Sequence, residues 1–169
     1  MRKSLEILYH AAGVLASLFM IGTLAMVLAS VLGRVMNFNL RGSDAYAGYC
    51  MAAAGFLALA HTLKRGEHIR VTLLIGRLSG RAQRALELWA LFAASLLAGL
   101  AAFYSARLAW QSWQFHDIST SNDATPLWIP QLAMALGTLV MAIAFVDELV
   151  LEARGQRLAA LPEEATRNE

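Results

Sequence analysis

Residues 62–71 read TLKRGEHIRV, with cations at Lys64, Arg65 and Arg70 around a glycine, a glutamate and a histidine at Gly66, Glu67 and His68. Such a group can hold an anion, pair a carboxylate with a guanidinium, or fix a turn against phosphate headgroups. Two further histidines, His10 and His61, are of the type that ligates haem iron; one falls near the start of the first apolar run and the other near the end of the second, which in a helical hairpin is the same side. A pair of axial ligands is therefore one chemistry to weigh, against the simpler one of two interfacial histidines capped by water or headgroups. His68 and His116 fall in turns and are expected to be solvated. The sequence holds no phosphate-binding P-loop, no glycine-rich dinucleotide turn and no metal-ligand cluster, so an enzyme reading has no residue to rest on.

The elements that must position these residues follow from composition. Of 169 residues, 58% are apolar and only 15% charged, against roughly a quarter charged in a soluble domain. The apolar residues are segregated into four charge-free runs: Ile7 to Gly33, Ala45 to Leu63, Leu88 to Ala106 and Ala124 to Val146. A membrane-spanning helix needs roughly 20 such residues, and lipid offers no partner to an open backbone, so each run is expected to be helical. The first run is too long for the apolar region of a signal peptide and reads as a retained helix. The single cysteine, Cys50, lies within a run and reads as a small buried hydrophobe. With no basic stripe on a soluble surface, nucleic-acid binding is not supported.

Charge sets the expected orientation. With four spans, both termini and the segment between spans two and three share one side. That side carries Arg2, Lys3, Lys64, Arg65, Arg70, Arg77, Arg81, Arg84, Arg154, Arg157 and Arg167, against Arg34, Arg41 and Arg107 opposite. By the positive-inside rule both termini and the TLKRGEHIRV turn are cytoplasmic. Trp110, Trp113 and Trp128 fall near one interface and Trp89 near the other, as in an aromatic belt. After Gly66, Arg70, Arg77, Arg81 and Arg84 fall within about a 60° arc of an ideal helix, beside an apolar arc of Val71, Ile75 and Leu78. That pattern predicts a short interfacial amphipathic helix over about 67–78.

The expected architecture is an all-α integral membrane protein: a compact four-span domain over 1–153, with spans at about 5–33, 44–63, 81–112 and 126–150, and a cytoplasmic tail over 154–169. No carboxylate falls at mid-depth in any span, so the chain alone is not expected to form a substrate pathway. Small residues repeat every four positions at Ala94, Ala98, Ala102 and Ala106, and at Ala25, Ala29 and Gly33. Such rows permit close helix packing, within the bundle or against a partner.

Several stretches carry a resemblance: span one ending in Gly33-Arg34-Val35, Asp44 opening span two, LKRGEHIRV over 63–71, and TPLWIP over 125–130 leading span four. On these the chain resembles the DctQ-type small membrane subunit of tripartite ATP-independent periplasmic (TRAP) transporters. It departs from the family pattern in lacking a tryptophan before span two, and in having Ala135-Leu136-Gly137 where Pro-x-Gly is common. The resemblance implies a multi-pass protein of the bacterial inner membrane, serving sodium-driven uptake of an organic acid. Its partners would be a large permease subunit, a periplasmic solute-binding protein and membrane lipids. No cofactor is expected on this chain, with sodium ions bound by the large subunit. The small subunit would act as scaffold. Lys64, Arg65 and Arg70 would anchor the charged turn to headgroups, with Gly66, Glu67 and His68 shaping it and Arg77 following on the interfacial helix. Arg34 and Asp44 are further contact candidates, and Trp128 with Pro126 and Pro130 would set the start of span four. The alternative is a haem-binding membrane anchor of a respiratory complex, with His10 and His61 as ligands.

Overall fold

The structure, a computed structural model, describes residues 2–38, 40–64, 81–121 and 123–155. Among the described residues there are four helices: α1 (Arg2–Val35), α2 (Ser43–Lys64), α3 (Arg81–Gln114) and α4 (Trp128–Ala153). Each expected span falls on one of them, and all four are long and apolar enough to cross a membrane. At 1.5 Å per residue, α2 with its 22 residues is about 33 Å long, close to the bilayer's apolar thickness. The 34 residues of α1 and of α3 give about 51 Å, so these two must tilt or protrude. The expected interfacial helix over 67–78 lies outside the described residues, as do Arg65, Gly66, Glu67, His68, Arg70, Arg77 and the tail beyond Gly155.

Three helices stop by the same device. Asn37, His116 and Gly155 adopt left-handed backbone, with φ of 56°, 54° and 67°. After α1, the amide of Phe38 bonds back to the Gly33 carbonyl at 2.8 Å. After α3, the amide of Asp117 bonds to the Ser112 carbonyl at 3.0 Å. These bonds satisfy carbonyls that the helix itself leaves open. Gly42, with φ of 80°, then starts α2.

The four helices form a row in the order α1–α2–α4–α3, where the sequence suggested a compact bundle. α1 packs on α2, α2 on α4 and α4 on α3, while α1 touches α4 only slightly. The least apolar helix, α2, is the most buried of the four. The most apolar, α1, is the most exposed, as befits an outer helix in lipid. Small residues make the seams. On α3 the buried positions are Leu91, Ala98, Ala102, Ser105, Ala109 and Ser112. Those positions fit alternating steps of three and four, which stay on one helix face. The expected strict four-residue row drifts about 40° per step and leaves it, so Ala106 ends up exposed. On α1, Tyr9, Ala12, Ala16 and Ser30 follow the same alternation, and Ala25 is exposed.

α2 and α4 approach closely at Gly137. A Cβ added at Gly137 would lie 2.5 Å from the Phe56 carbonyl oxygen, a backbone atom that cannot swing aside. At one end of this crossing, Tyr9, Ala60, Leu63 and Ala144 form a buried cluster, with Leu5, Val140 and Phe145 packed against it. Replacing Gly137 by Ala is expected to lower the thermal midpoint of the detergent-solubilised chain, at a cost of about 1–3 kcal/mol of overpacking. Gly55→Ala, where an added Cβ meets nothing within 4 Å, is expected to raise it through helix propensity worth about 1 kcal/mol. Equal midpoints for the two variants would contradict the assigned crossing.

Candidate functional site

A transport pathway needs polar groups at mid-depth that are free to meet a solute. The hydroxyls of Ser17, Thr23, Thr62, Ser95 and Thr138 each donate instead to a carbonyl four residues back in their own helix. Among the described residues, every Asp and Glu lies in a connection or within the first or last two turns of a helix. The polar chemistry is concentrated at the two ends of the row.

The end that carries the helix termini, the basic end, holds a clamp between α2 and α4. Lys64, the last residue of α2, pairs with Asp147 and, at 3.0 Å, with Glu148, both in α4. All three side chains are largely buried, with exposures of 21%, 23% and 12%. The Lys64 ammonium also lies 5.2 Å from the ring centre of Tyr9, which brings α1 into the same group. Lys64 therefore turns inward, where the sequence suggested a headgroup anchor. The physical reason is the adjacent acidic pair, which in this half-buried setting needs a cation more than lipid phosphate does. Arg84 of α3 reaches the C-terminus of α4 and donates to the Ala153 carbonyl at 3.1 Å, a cation at the negative end of a helix dipole.

The opposite, loop end holds a second clamp. Two of the expected contact residues meet there: Arg34 at the end of α1 and Asp44 at the start of α2 lie 3.3 Å apart, and Ser30 donates to Asp44 at 2.9 Å. The ion pair is about three-quarters exposed, so its own worth is small. The α3–α4 connection is closed by a bridge between Ile118 and Pro126, with the Leu127 amide bonded to the Asp117 carbonyl at 2.9 Å. Trp128 is the first residue of α4 and Pro130 the third, where the missing amide leaves no helical bond unmade.

The connection is tied to α2 by hydroxyls. Tyr49 donates to Asp123 at 3.1 Å, and the hydroxyls of Tyr46 and Thr125 are bonded at 3.2 Å. Gly42 completes the contact, since an added Cβ would come within 2.7 Å of the Asp123 Cβ. The hydroxyl of Thr125 foremost, then those of Ser119 and Tyr49, hold the Asp123 carboxyl well below the usual range, at about 2.

Neither histidine of the haem alternative is presented for ligation. His10 is exposed, and the ring of His61 packs against Gly13, whose added Cβ would meet Nδ1 at 2.9 Å. Cys50 is free and lies beside Gly22 in the α1–α2 contact.

The matched family model is described as tripartite ATP-independent periplasmic transporters, DctQ component, and covers residues 23–155. The chain belongs to the DctQ family. A search of curated proteins gave no match. The DctQ assignment makes the chain the small membrane subunit of a TRAP transporter, a family of transporter subunits and not of enzymes, and gives the haem-anchor alternative no support. The matched stretch takes in the charged pairs of both clamps and parts of all three helix seams of the DctQ chain, leaving out the first 21 residues of α1.

Sequence reasoning missed three parts of this arrangement: the pairing of Lys64 with Asp147 and Glu148, the cap by Arg84, and the tyrosine bonds to the α3–α4 connection. One signal was available. Asp147 and Glu148 stand side by side at the same membrane level as Lys64, and two adjacent carboxylates at the edge of an apolar run call for a cation.

Two outcomes follow from the clamps. Lys64→Met leaves two carboxylates facing each other and is expected to cost about 3 kcal/mol, read as chemical or thermal unfolding in detergent. Adding Asp147→Asn and Glu148→Gln to it should restore most of that loss. For Asp123, the depressed folded value means that its contribution is present above the ordinary carboxylate range and is lost as pH falls through about 2. Asp123→Asn should therefore lower the thermal midpoint at pH 7, with the gap to the natural chain unchanged between pH 5 and 8. A gap that closes within that window would assign the titration to another group.

Proposed function

We propose that this DctQ subunit is a rigid membrane scaffold for the large permease subunit of a sodium-driven organic-acid uptake system, and that it forms no part of the substrate site. The observation that carries this reading is the state of its polar groups: the hydroxyls of Ser17, Thr23, Ser95 and Thr138 are bonded to their own helices, and among the described residues the carboxylates stay near helix ends or in connections. Scaffolding needs what the row provides, which is a fixed set of helices with long apolar faces left open on α1 and α3.

In this reading the protein lies in the bacterial inner membrane with the basic end and both termini in the cytoplasm. Sodium ions and substrate bind to the large subunit, and the chain carries no cofactor. The loop end, with Arg34, Asp44, Pro126 and Trp128, offers surface to the periplasmic solute-binding protein. The interfacial helix over 67–78 lies in the headgroup region with Arg70 and Arg77 on its polar arc. Arg65 and Arg70 meet anionic headgroups, at about 1 kcal/mol each. Gly66, Glu67 and His68 hold the shape of the turn through a Glu67 to arginine pair.

Reconstitution tests this. Proteoliposomes holding the large subunit, this chain and the solute-binding protein should take up the acid only under a sodium gradient, and vesicles with this chain alone should take up none. Glu67→Ala should still insert in the membrane while lowering the yield of the complex and its uptake. Uptake by the chain alone would refute the scaffold reading, and normal assembly of the Glu67 variant would refute the role given to the turn.

A further inference from the structure

Near the loop end, α3 and α4 border an open groove of 280 Å³ whose walls are almost wholly apolar. That is about twice the roughly 150 Å³ apolar cavity that accepts benzene. Alanines from both helices, with Leu132, make its sides, and Trp110, Trp113 and Trp128 stand around it. The rings of Trp110 and Trp113 lie 5.3 Å apart, and both are more than half exposed. Among the described residues, none of the three indole N–H groups has a hydrogen-bond partner in the chain.

Beside the groove lies Arg107, next in sequence to the lining residue Ala106 and about 60° round the helix from Trp110. Arg107 is exposed and, among the described residues, has no carboxylate or carbonyl partner. It lies about two turns inside the end of α3, a depth from which its long side chain can reach the headgroup level. The polar groups around the groove are thus donors alone: one guanidinium and three indoles.

We propose that this groove binds one anionic phospholipid, with its phosphate and ester oxygens accepting from Arg107 and the indole N–H groups and an acyl chain against the alanine and leucine walls. A phospholipid joins anionic and carbonyl acceptors to alkyl chain, which is the complement of an apolar groove flanked by donors alone. A partner helix fits it less well, because its backbone acceptors are already used within itself. A lipid held there would cover the outer side of the α3–α4 seam near the loop end.

The test uses the full-length chain, purified in mild detergent and stripped of lipid, then titrated with dioleoyl phosphatidylglycerol and followed by native mass spectrometry. Brominated acyl chains on the same lipid give a second readout through tryptophan quenching. One lipid should be retained per chain, and dioleoylglycerol, which lacks the phosphate, should not displace it. Arg107→Gln should weaken binding about tenfold, the loss expected for one charge-assisted contact. Ala106→Leu, at an exposed position that fills the groove, should weaken it without unfolding the chain. Arg41→Gln, which removes a cation at the same end away from the groove, should change nothing. The proposal is overturned if Arg107→Gln and Ala106→Leu bind like the natural chain, or if Arg41→Gln loses as much as Arg107→Gln. It is also overturned if Trp110 cross-links to another protein in native membranes in place of lipid.

Discussion

One contact joins the molecule: the crossing of α2 and α4, where Gly137 lies against the Phe56 backbone. α1 and α2 form one helical hairpin, α3 and α4 another, and the outer helices have almost nothing to hold but their own partners. The crossing is fastened beyond both of its ends. Lys64 with Asp147 and Glu148 closes the basic end, and Tyr46 and Tyr49 with Thr125 and Asp123 close the loop end. A small residue at the centre admits close approach, and polar pairs at the two rims resist sliding and rotation. In lipid, where apolar burial between helices gains little, this division of labour is what can hold two hairpins in one register.

A row fixed in this way differs from a bundle in what it leaves open. A closed four-helix bundle satisfies its apolar faces internally, whereas here α1 and α3 show leucines, valines and aromatic rings along most of their length. In a membrane those faces cost nothing, and they give a larger partner two broad walls to lie against. The same geometry argues against a pathway, since among the described residues the carboxylates stay near the helix ends or in the connections. A static part of a transporter has both properties.

The four helices were legible because a span announces itself in a single uninterrupted run of apolar residues, a signal that needs no knowledge of neighbours. Family membership was legible too, from the charged turn and the TPLWIP stretch. Packing was less so. A four-residue row such as Ala94 to Ala106 looks like a seam on paper, but the curvature of packed helices selects alternating steps, and only Ala98 and Ala102 of that row are buried. Partners distant in sequence were harder still. Arg34 and Asp44 were each picked out and do meet, because a short turn leaves them little choice. Lys64 was picked out for the wrong neighbour, since its carboxylates lie 83 and 84 residues away and nothing local marks them. The tyrosine bonds to the α3–α4 connection were missed for the same reason. Most of the charged turn lies outside the described residues, so its shape rests on sequence alone.

The central claim is that this subunit is built to hold a larger one. Its most direct test is recovery of the tagged full-length chain from native membranes in mild detergent, with the co-purifying proteins identified and counted by mass spectrometry. The account predicts a many-span permease at one copy per copy of this chain, with uptake activity in the recovered complex. Recovery of the chain alone, or with a haem-containing catalytic partner, would contradict it.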